Sequence, residues 1–288
     1  MTTVEARELA YFVAVAEERN IGRAARRLGM AQPPLSRALQ QLERRLGVLL
    51  LERTNRGVEL TPAGVVLLAE GRRVLDAVAA AVRRTQRAGA DVPRLTLAMK
   101  PDGDAGLLER VLPRYRSEPD AVEVEVVVCG IGEQAQLLRD GRADLALLPG
   151  HDDLTGFDTE DLLVLDQVAA LPRGHRLAGR EALVLADLDG EPQLHDVGGP
   201  EVRDAGQLMQ LVALGQLVAV VPASAQRNAR SDVVFVPVLD APTTTLVLAW
   251  PESSRSRAVA AFLRACTAAV GGDPVHGHHG LSGATAGR

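Results

Sequence analysis

Between Gly29 and Gly47 the chain reads Met-Ala-Gln-Pro-Pro-Leu-Ser-Arg-Ala-Leu-Gln-Gln-Leu-Glu-Arg-Arg-Leu. Adjacent prolines fit a helix only in its first turn, where a missing N–H has no helical partner. A helix therefore starts at Gln32–Pro34. Leu35, Leu39, Leu42 and Leu46 follow at i, i+4, i+7 and i+11 and give it one apolar stripe. Gly47 ends it. Upstream, Ala24, Ala25 and Leu28 share one helical face, with small residues where two helices approach closely. Gly29 suits the left-handed cap that closes that earlier helix. Downstream, Leu49–Arg53 and Val58–Leu60 read as hairpin strands around an Asn55-Arg56-Gly57 turn. The stretch is thus constrained to two short helices around a tight turn, then a small hairpin.

The residues left off the apolar stripe give this unit its chemistry. Gln32, Ser36, Arg37 and Gln40, beside Pro33 and Pro34, face outward on the N-terminal half of the second helix. That half is the part a recognition helix presents to base edges in a major groove. Arg37 is the leading candidate, because a bidentate arginine–guanine pair is worth about 1–3 kcal/mol of discrimination. Arg53 and Arg56 on the hairpin suit phosphates or a narrow minor groove. Ser36 and Thr61 suit phosphates or helix caps. This is the pattern of a winged helix-turn-helix. Charge agrees with it. Residues 1–90 hold 15 Arg against 9 acids, a net of +6, and the remainder nets −11, which together give the chain's −5. A basic head on an acidic body fits a DNA-binding piece attached to one that does not bind DNA.

These residues also carry a family resemblance. The run Leu9-Ala10-Tyr11-Phe12-Val13-Ala14-Val15-Ala16-Glu17 leads to Ala24-Ala25-Arg26-Arg27-Leu28 and Gln32-Pro33-Pro34-Leu35-Ser36-Arg37. Leu42-Glu43-Arg44-Arg45-Leu46-Gly47, Arg53-Thr54 and Leu60-Thr61-Pro62-Ala63-Gly64 complete it. Together they resemble the DNA-binding domain of the LysR-type transcriptional regulators. One departure is Leu50-Leu51, where the family usually carries a Phe. The resemblance implies a dimer or dimer of dimers on dyad-symmetric, double-stranded promoter DNA. It also implies modulation by an unknown small-molecule effector and contact with RNA polymerase.

Further along, Thr61 and Pro62 are a good N-cap and first helical residue. Their helix runs through Leu67, Leu68, Val74, Leu75, Val78 and Val82 to about Arg87, roughly 39 Å at 1.5 Å per residue. By resemblance it is the linker helix that pairs antiparallel with its copy in a second subunit. After a hinge at 91–93 come strand Arg94–Met99, helix Ala105–Arg116, strand Val122–Cys129, helix Gly132–Asp140 and strand Asp144–Leu148. Such alternation predicts a mostly parallel sheet with helices on its faces. The segment Leu163–Leu171 opens a second half. It continues with a helix near Asp204–Leu214, a strand at Leu217–Val221 and a helix from Pro222. Strands Val233–Val238 and Thr244–Trp250 and a helix over Ser254–Val270 complete the pattern. The expected fold class is α/β with a helical winged helix-turn-helix head. The body resembles the family's two-subdomain effector domain, similar to periplasmic binding proteins. Leu171-Pro172-Arg173-Gly174-His175-Arg176-Leu177-Ala178 and Leu214-Gly215-Gln216-Leu217-Val218-Ala219-Val220-Val221-Pro222 carry that part of the likeness. The expected domains are 1–61 (DNA-binding), 62–90 (linker and dimerisation helix), 91–270 (regulatory) and a disordered tail at 271–288. Within the regulatory part, one subdomain takes about 91–162 with the C-terminal helix, and the other takes 163–250.

In open α/β sheets ligands sit beyond the carboxyl ends of strands, near helix N-termini. That rim holds Lys100, Pro101, Asp102, Gly130, Ile131 and His151, with Gln193, His195 and Pro222 from the second half. Relatives often carry Ser or Thr after the first strand. Asp102 and Asp104 stand there instead, which favours a neutral or cationic ligand, or none. The 193–206 segment is also short for the family. Gly130-Ile131-Gly132-Glu133-Gln134-Ala135 has the form of a dinucleotide fingerprint, but it follows the second strand of its domain and opens a short helix. No Gly-x-Ser-x-Gly, P-loop or His-Glu-x-x-His occurs. The chain is thus read as not an enzyme, with no cofactor and no metal, and the histidines at 276, 278 and 279 do not change that. Cys129 and Cys266 read as buried core residues. The N-terminus lacks a signal peptide's apolar segment and no run of about 18 apolar residues exists, so a cytoplasmic, nucleoid-associated protein with no membrane contact is expected. Two other readings stay open here. One is a DNA-binding scaffold that answers to a partner protein; the other is a nucleotide-binding enzyme fused to a DNA head.

Overall fold

A computed structural model describes residues 4–54, 57–89, 92–193, 202, 204–228 and 230–271. The chain divides into two compact units, 1–90 with 139–141, and the remainder. The first unit runs α1 (Ala6–Glu18), α2 (Ile21–Arg27), α3 (Gln32–Leu46), β1 (Leu51–Thr54), β2 (Gly57–Leu60) and α4 (Pro62–Ala88). Each boundary has a local cause. The Glu8 carboxylate accepts the Glu5 N–H at 3.0 Å at the start of α1. Asn20 caps α2 by accepting the Arg23 N–H at 2.9 Å. Gly29 (φ 67°) and Gly47 (φ 71°) take the left-handed conformation that ends α2 and α3. Phe12, Val15, Ala24, Ala25, Leu35, Leu39, Leu42, Leu50 and Val58 form one buried core.

The predicted hairpin is present, but its first strand begins at Leu51 and leaves Val48 and Leu49 exposed. The cause is Glu43 of α3. Its Oε1 accepts the N–H groups of Leu50 (2.9 Å) and Leu51 (3.2 Å) and holds the chain off the sheet until there. Strands β1 and β2 pair antiparallel, with Arg53 opposite Val58. Helix α4 divides the apolar edge read from the sequence. Leu67, Leu68 and Leu75 pack on the head core, whereas Val65, Val66, Val74, Val78 and Val82 are exposed.

The second unit holds two sheets. The first contains β3 (Arg94–Met99), β4 (Glu123–Val128), β5 (Leu145–Pro149), β6 (Phe157–Leu165) and β10 (Thr244–Pro251), in the order β4-β3-β5-β10-β6. The second contains β7 (Gln167–Pro172), β8 (Ala219–Pro222) and β9 (Val233–Pro237), in the order β8-β7-β9. Helices α5 (Leu108–Arg116), α6 (Gln134–Arg139), α7 (Ala205–Ala213) and α8 (Arg257–Val270) complete the α/β fold.

Several expectations are corrected. The sheets are not mostly parallel. Only β3/β4 and β3/β5 are parallel; β10 runs antiparallel to β5 and β6, and every pair in the second sheet is antiparallel. Parallel pairing needs a long crossover, and the parallel pairs are those that α5 and α6 span. Secondly, the segment Leu163–Leu171, read as the opening of the second half, is divided between two strands broken at Asp166. The first belongs to the five-stranded sheet, and so does Thr244–Pro251, which the sequence placed in the second subdomain. Thirdly, the helix expected from Ala105 starts at Leu108, because Asp102 (φ 57°), Ala105 (φ 51°) and Gly106 (φ 79°) lie outside helical geometry. The helix expected from Pro222 is a 3-10 turn over Ala223–Asn228.

The chain therefore passes between the sheets twice, at Asp166 and over 238–243. The Gln167 side-chain amide donates to Thr244 Oγ1 at 2.8 Å and ties the two passages together. The Val238 N–H donates to the Gln167 carbonyl (3.0 Å) and the Ala223 N–H to the Asp166 carbonyl (2.8 Å).

One acid staples a loop of the second subdomain. Glu191 meets His175 Nε2 at 3.1 Å and Arg176 at 2.7 Å. The hydrogen bond from His175, then that from Arg176, holds its carboxyl below the usual 4.5. A carboxyl depressed in the folded state adds stability above its unfolded value and loses it as pH falls through the folded one. Glu191→Gln is expected to melt below the wild type at pH 7 and to converge with it in acid. Parallel melting curves from pH 7 to pH 3 would contradict this staple.

Candidate nucleic-acid interface and effector cleft

Leu35, Leu39 and Leu42 turn α3 inward, so its opposite face is fixed outward. Gln32, Pro33, Pro34, Arg37 and Gln40 are exposed there, and Ser36 is half-buried. The amide oxygen of Gln32 leans toward Gly22 of α2, 3.4 Å from where a Cβ would stand. Several arginines of the unit are paired with acids within it. Arg27 and Arg72 pair with Glu17 at 2.8 and 2.7 Å, and Arg45 pairs with Glu8 at 2.5 Å. These contacts hold Glu17 and Glu8 below the usual carboxylate range, Glu17 against the opposing effect of its burial and Glu8 chiefly through its bond to the Glu5 backbone. Arg37 has no such partner among the described residues. Its guanidinium remains available for an external acceptor.

Thr61 departs from the expected DNA-contacting set. It is buried, its hydroxyl donates to the Leu49 carbonyl at 2.7 Å, and the same oxygen accepts the Gly64 N–H at 3.0 Å. Its role is the cap of α4. Arg53 lies in β1. Arg56 lies outside the described residues. The sequence reading missed the exposed Val48 and Leu49, which with Gln40, Glu43, Arg44 and Gly47 line a shallow cavity of about 390 Å3 beside α3. Two consecutive apolar residues after the helix-ending glycine were the available signal.

In the second unit a cleft of about 440 Å3 brings together Lys100, Pro101, Asp102, Ile131 and Pro222 of the expected set. Gly130 is not part of its lining. His151 is exposed and lines a separate cavity with Thr159, Asp161 and Thr245. Gln193 is outside the lining among the described residues, and His195 lies outside those residues. The cleft also takes residues the sequence did not single out. Asp204, Leu208 and Met209 come from the start of α7, and Val221, Ser224, Ala225 and Arg230 surround the 3-10 turn. The N-cap signal at Asp204, whose side chain accepts the Gln207 N–H at 2.9 Å, was visible in sequence. That this helix end meets the end of β3 was not. Asp104 is turned to α5, where its carboxylate accepts the Leu108 N–H at 3.2 Å.

The glycine-rich turn is closed to a dinucleotide. The Gly130 N–H donates to Glu133 Oε2 at 2.8 Å, so a carboxylate stands where a phosphate would. The helix behind it has six residues. Cys266 is buried, and burial pushes its thiol up to about 12. Cys129 is half-buried rather than buried, and desolvation raises its thiol too. Both stay protonated near neutral pH and are poor nucleophiles. Among the described residues no helix is long and apolar enough to cross a membrane.

Comparison with known proteins adds the following. Residues 6–65 match the family described as bacterial regulatory helix-turn-helix protein, lysR family. Residues 88–205 and 197–271 match the LysR substrate binding domain. The HTH-type transcriptional regulator AlsR of Bacillus subtilis (strain 168) is 36% identical over 190 residues, 66% of this chain and 63% of AlsR. The uncharacterized HTH-type transcriptional regulator YnfL of Escherichia coli (strain K12) is 31% identical over 276 residues, 86% of this chain and 93% of YnfL. The crystal structure of full-length CbnR in complex with its target DNA aligns with a TM-score of 0.57 at 25% identity, covering 92% of this chain and all of CbnR.

Proposed function

The chain belongs to the LysR family of transcriptional regulators, and from that premise we propose how its own residues do the work. The N-terminal half of α3 enters a DNA major groove, where Arg37 and Gln40 read base edges and Gln32 and Ser36 fix the helix on the backbone. Pro33 and Pro34 keep the helix end slim enough to approach. Arg53 and Arg56 of the hairpin hold flanking phosphates. The observation that carries this is the exposed Arg37, without an acid partner among the described residues, opposite the buried Leu35–Leu39–Leu42 stripe.

The exposed Val74, Val78 and Val82 recur every four residues along α4. Such a stripe is what a helix presents to a partner helix. It supports antiparallel pairing with a second copy, as a dimer or dimer of dimers on dyad-symmetric promoter DNA. The head is then 1–61, the pairing helix 62–90 and the regulatory domain 91–270. A small molecule in the cleft biases the arrangement of the subunits through its different affinity for the two states, and so biases DNA bending and contact with RNA polymerase. AlsR is named an HTH-type transcriptional regulator and CbnR is solved in complex with its target DNA, which favours a DNA-binding regulatory role here.

The test is fluorescence anisotropy of the full-length protein on DNA flanking its own gene, at several salt concentrations. Arg37→Ala is expected to bind about 10- to 100-fold more weakly, the equivalent of roughly 1–3 kcal/mol, with relaxed preference at one base pair. Unchanged affinity and preference in Arg37→Ala would remove α3 from the base-reading role.

A further inference from the structure

Lys100 is the single lysine of the chain, and its position is fixed rather than free. It follows directly on β3, its Cγ lies 2.8 Å from where a Cβ on Gly103 would stand, and its backbone carbonyl accepts the Gly103 N–H at 3.0 Å. The side chain lines both the 440 Å3 cleft and a smaller adjoining pocket walled by Leu147, Leu165 and Leu246. Around it the lining is mostly apolar, with Ile131, Leu208, Met209 and Val221 among its members. Burial lowers the pKa of its amine, with the Asp152 carboxylate opposing that fall.

The charge around the cleft argues against a simple anion. Asp102 and Asp204 line it, and Asp152 already acts on the lysine. Arg230, the other cation among the described residues of the lining, is committed to Asp232 at 2.9 and 2.8 Å and to Gln210 at 2.9 Å. A carboxylate ligand would meet these acids for the sake of one amine held in apolar surroundings. A cationic ligand would meet Lys100 itself. A neutral electrophile with an apolar body meets neither obstacle, and a desolvated amine is the nucleophile that captures it.

We propose that the cleft captures a small apolar aldehyde through a reversible imine to Lys100. This rests on the cleft being the effector site. The nitrogen lone pair of the neutral amine adds to the carbonyl carbon. The carbonyl π electrons move to oxygen, which takes a proton from nitrogen to give a carbinolamine. The hydroxyl then leaves with the remaining N–H proton as one water, and a C=N bond forms. No electrons are exchanged with any other reactant. The carboxylates of Asp152 and Asp102 favour the iminium form of the product, and the apolar walls hold the aldehyde's body. Hydrolysis returns the free amine when the aldehyde is depleted, which makes the linkage a concentration sensor.

A chain with one lysine makes the test simple. Full-length protein is incubated at pH 7 with benzaldehyde and cyanoborohydride, and the reduced adduct is located by peptide mass mapping. The comparison is the same chain unfolded in urea. Labelling at Lys100 is expected to be several-fold faster in the folded protein, because burial in the cleft favours the neutral amine, and absent in Lys100→Arg. A second arm reads operator binding. Benzaldehyde is expected to shift the affinity of the wild type and not that of Lys100→Arg. Labelling confined to the N-terminal amine, labelling no faster than in urea, or an aldehyde response that persists in Lys100→Arg overturns the proposal. Failure of the unliganded protein to bind its operator would contradict the regulator reading instead, and the labelling arm decides the imine without it.

Discussion

Gly64→Ala will unfold the DNA-binding head at temperatures where the second unit is intact, and operator binding will be lost with it. A Cβ at this position would lie 2.1 Å from the Leu50 carbonyl oxygen and 3.0 Å from Leu60 Cδ2. The oxygen cannot step aside cheaply, because it accepts the Thr61 N–H at 3.0 Å. Two effects compete. Ala is favoured over Gly in a helix by about 1 kcal/mol. Overpacking against a fixed backbone costs about 1–3 kcal/mol or more, and the surrendered hydrogen bond adds about 1 kcal/mol. The clash wins by about 1–3 kcal/mol or more, a large share of the 5–15 kcal/mol that holds a typical domain together. Thermal melting by circular dichroism should show the head transition moved down and the other transition in place. A head that melts as high as the wild type would show that α4 does not approach Leu50 so closely.

Phe262→Ala has the opposite signature, with the head preserved and the regulatory unit weakened. Phe262 is wholly buried in the main core, among Leu95, Leu97 and Val111. Its ring stands 5.2 Å from that of Tyr115 at 60°, the tilted geometry aromatic pairs favour. Tyr115 in turn accepts the Val122 N–H at 3.0 Å and so fixes the entry to β4. Truncation should cost about 3–5 kcal/mol, which is about 10 °C in melting temperature for a domain of this size. Operator binding without effector should survive at temperatures below the new transition. Phe262→Leu, which fills most of the space, should recover more than half of the loss. A melting shift under about 2 °C for the alanine variant would mean that the site collapses without a cavity.

The head was legible because its signals are local. Tandem prolines, a leucine stripe and two glycines fix α3 within a few residues, and the family resemblance runs over the same segment. What sequence did not reveal depends on residues distant along the chain. Glu43 delays the first hairpin strand by taking two backbone N–H groups seven and eight residues away. For Thr61 the sequence left phosphate and helix cap both open, and only the second partner of its hydroxyl, the Leu49 carbonyl twelve residues back, decides for the cap. In the second unit the apolar strand Thr244–Pro251 reads like any core strand, and nothing local says that it lies beside β5 rather than β9. The break at Asp166 is hidden for the same reason, since hydrophobic residues continue on both sides of it. Five of nine cleft candidates meet in one cavity. The misses arise because the rim was inferred from strand ends alone, while α7 and the turn after Pro222 supply much of the wall.

The two passages between the sheets lie side by side and are joined through Gln167 and Thr244. Two connections running side by side in opposite directions and tied to each other restrain the two sheets least against rotation about the line where they are tied. A molecule held in the cleft, as proposed above, would then act only through the free energy with which it favours one angle of the two sheets over another, and loosening the tie, as in Gln167→Ala, would add other ways for the sheets to move.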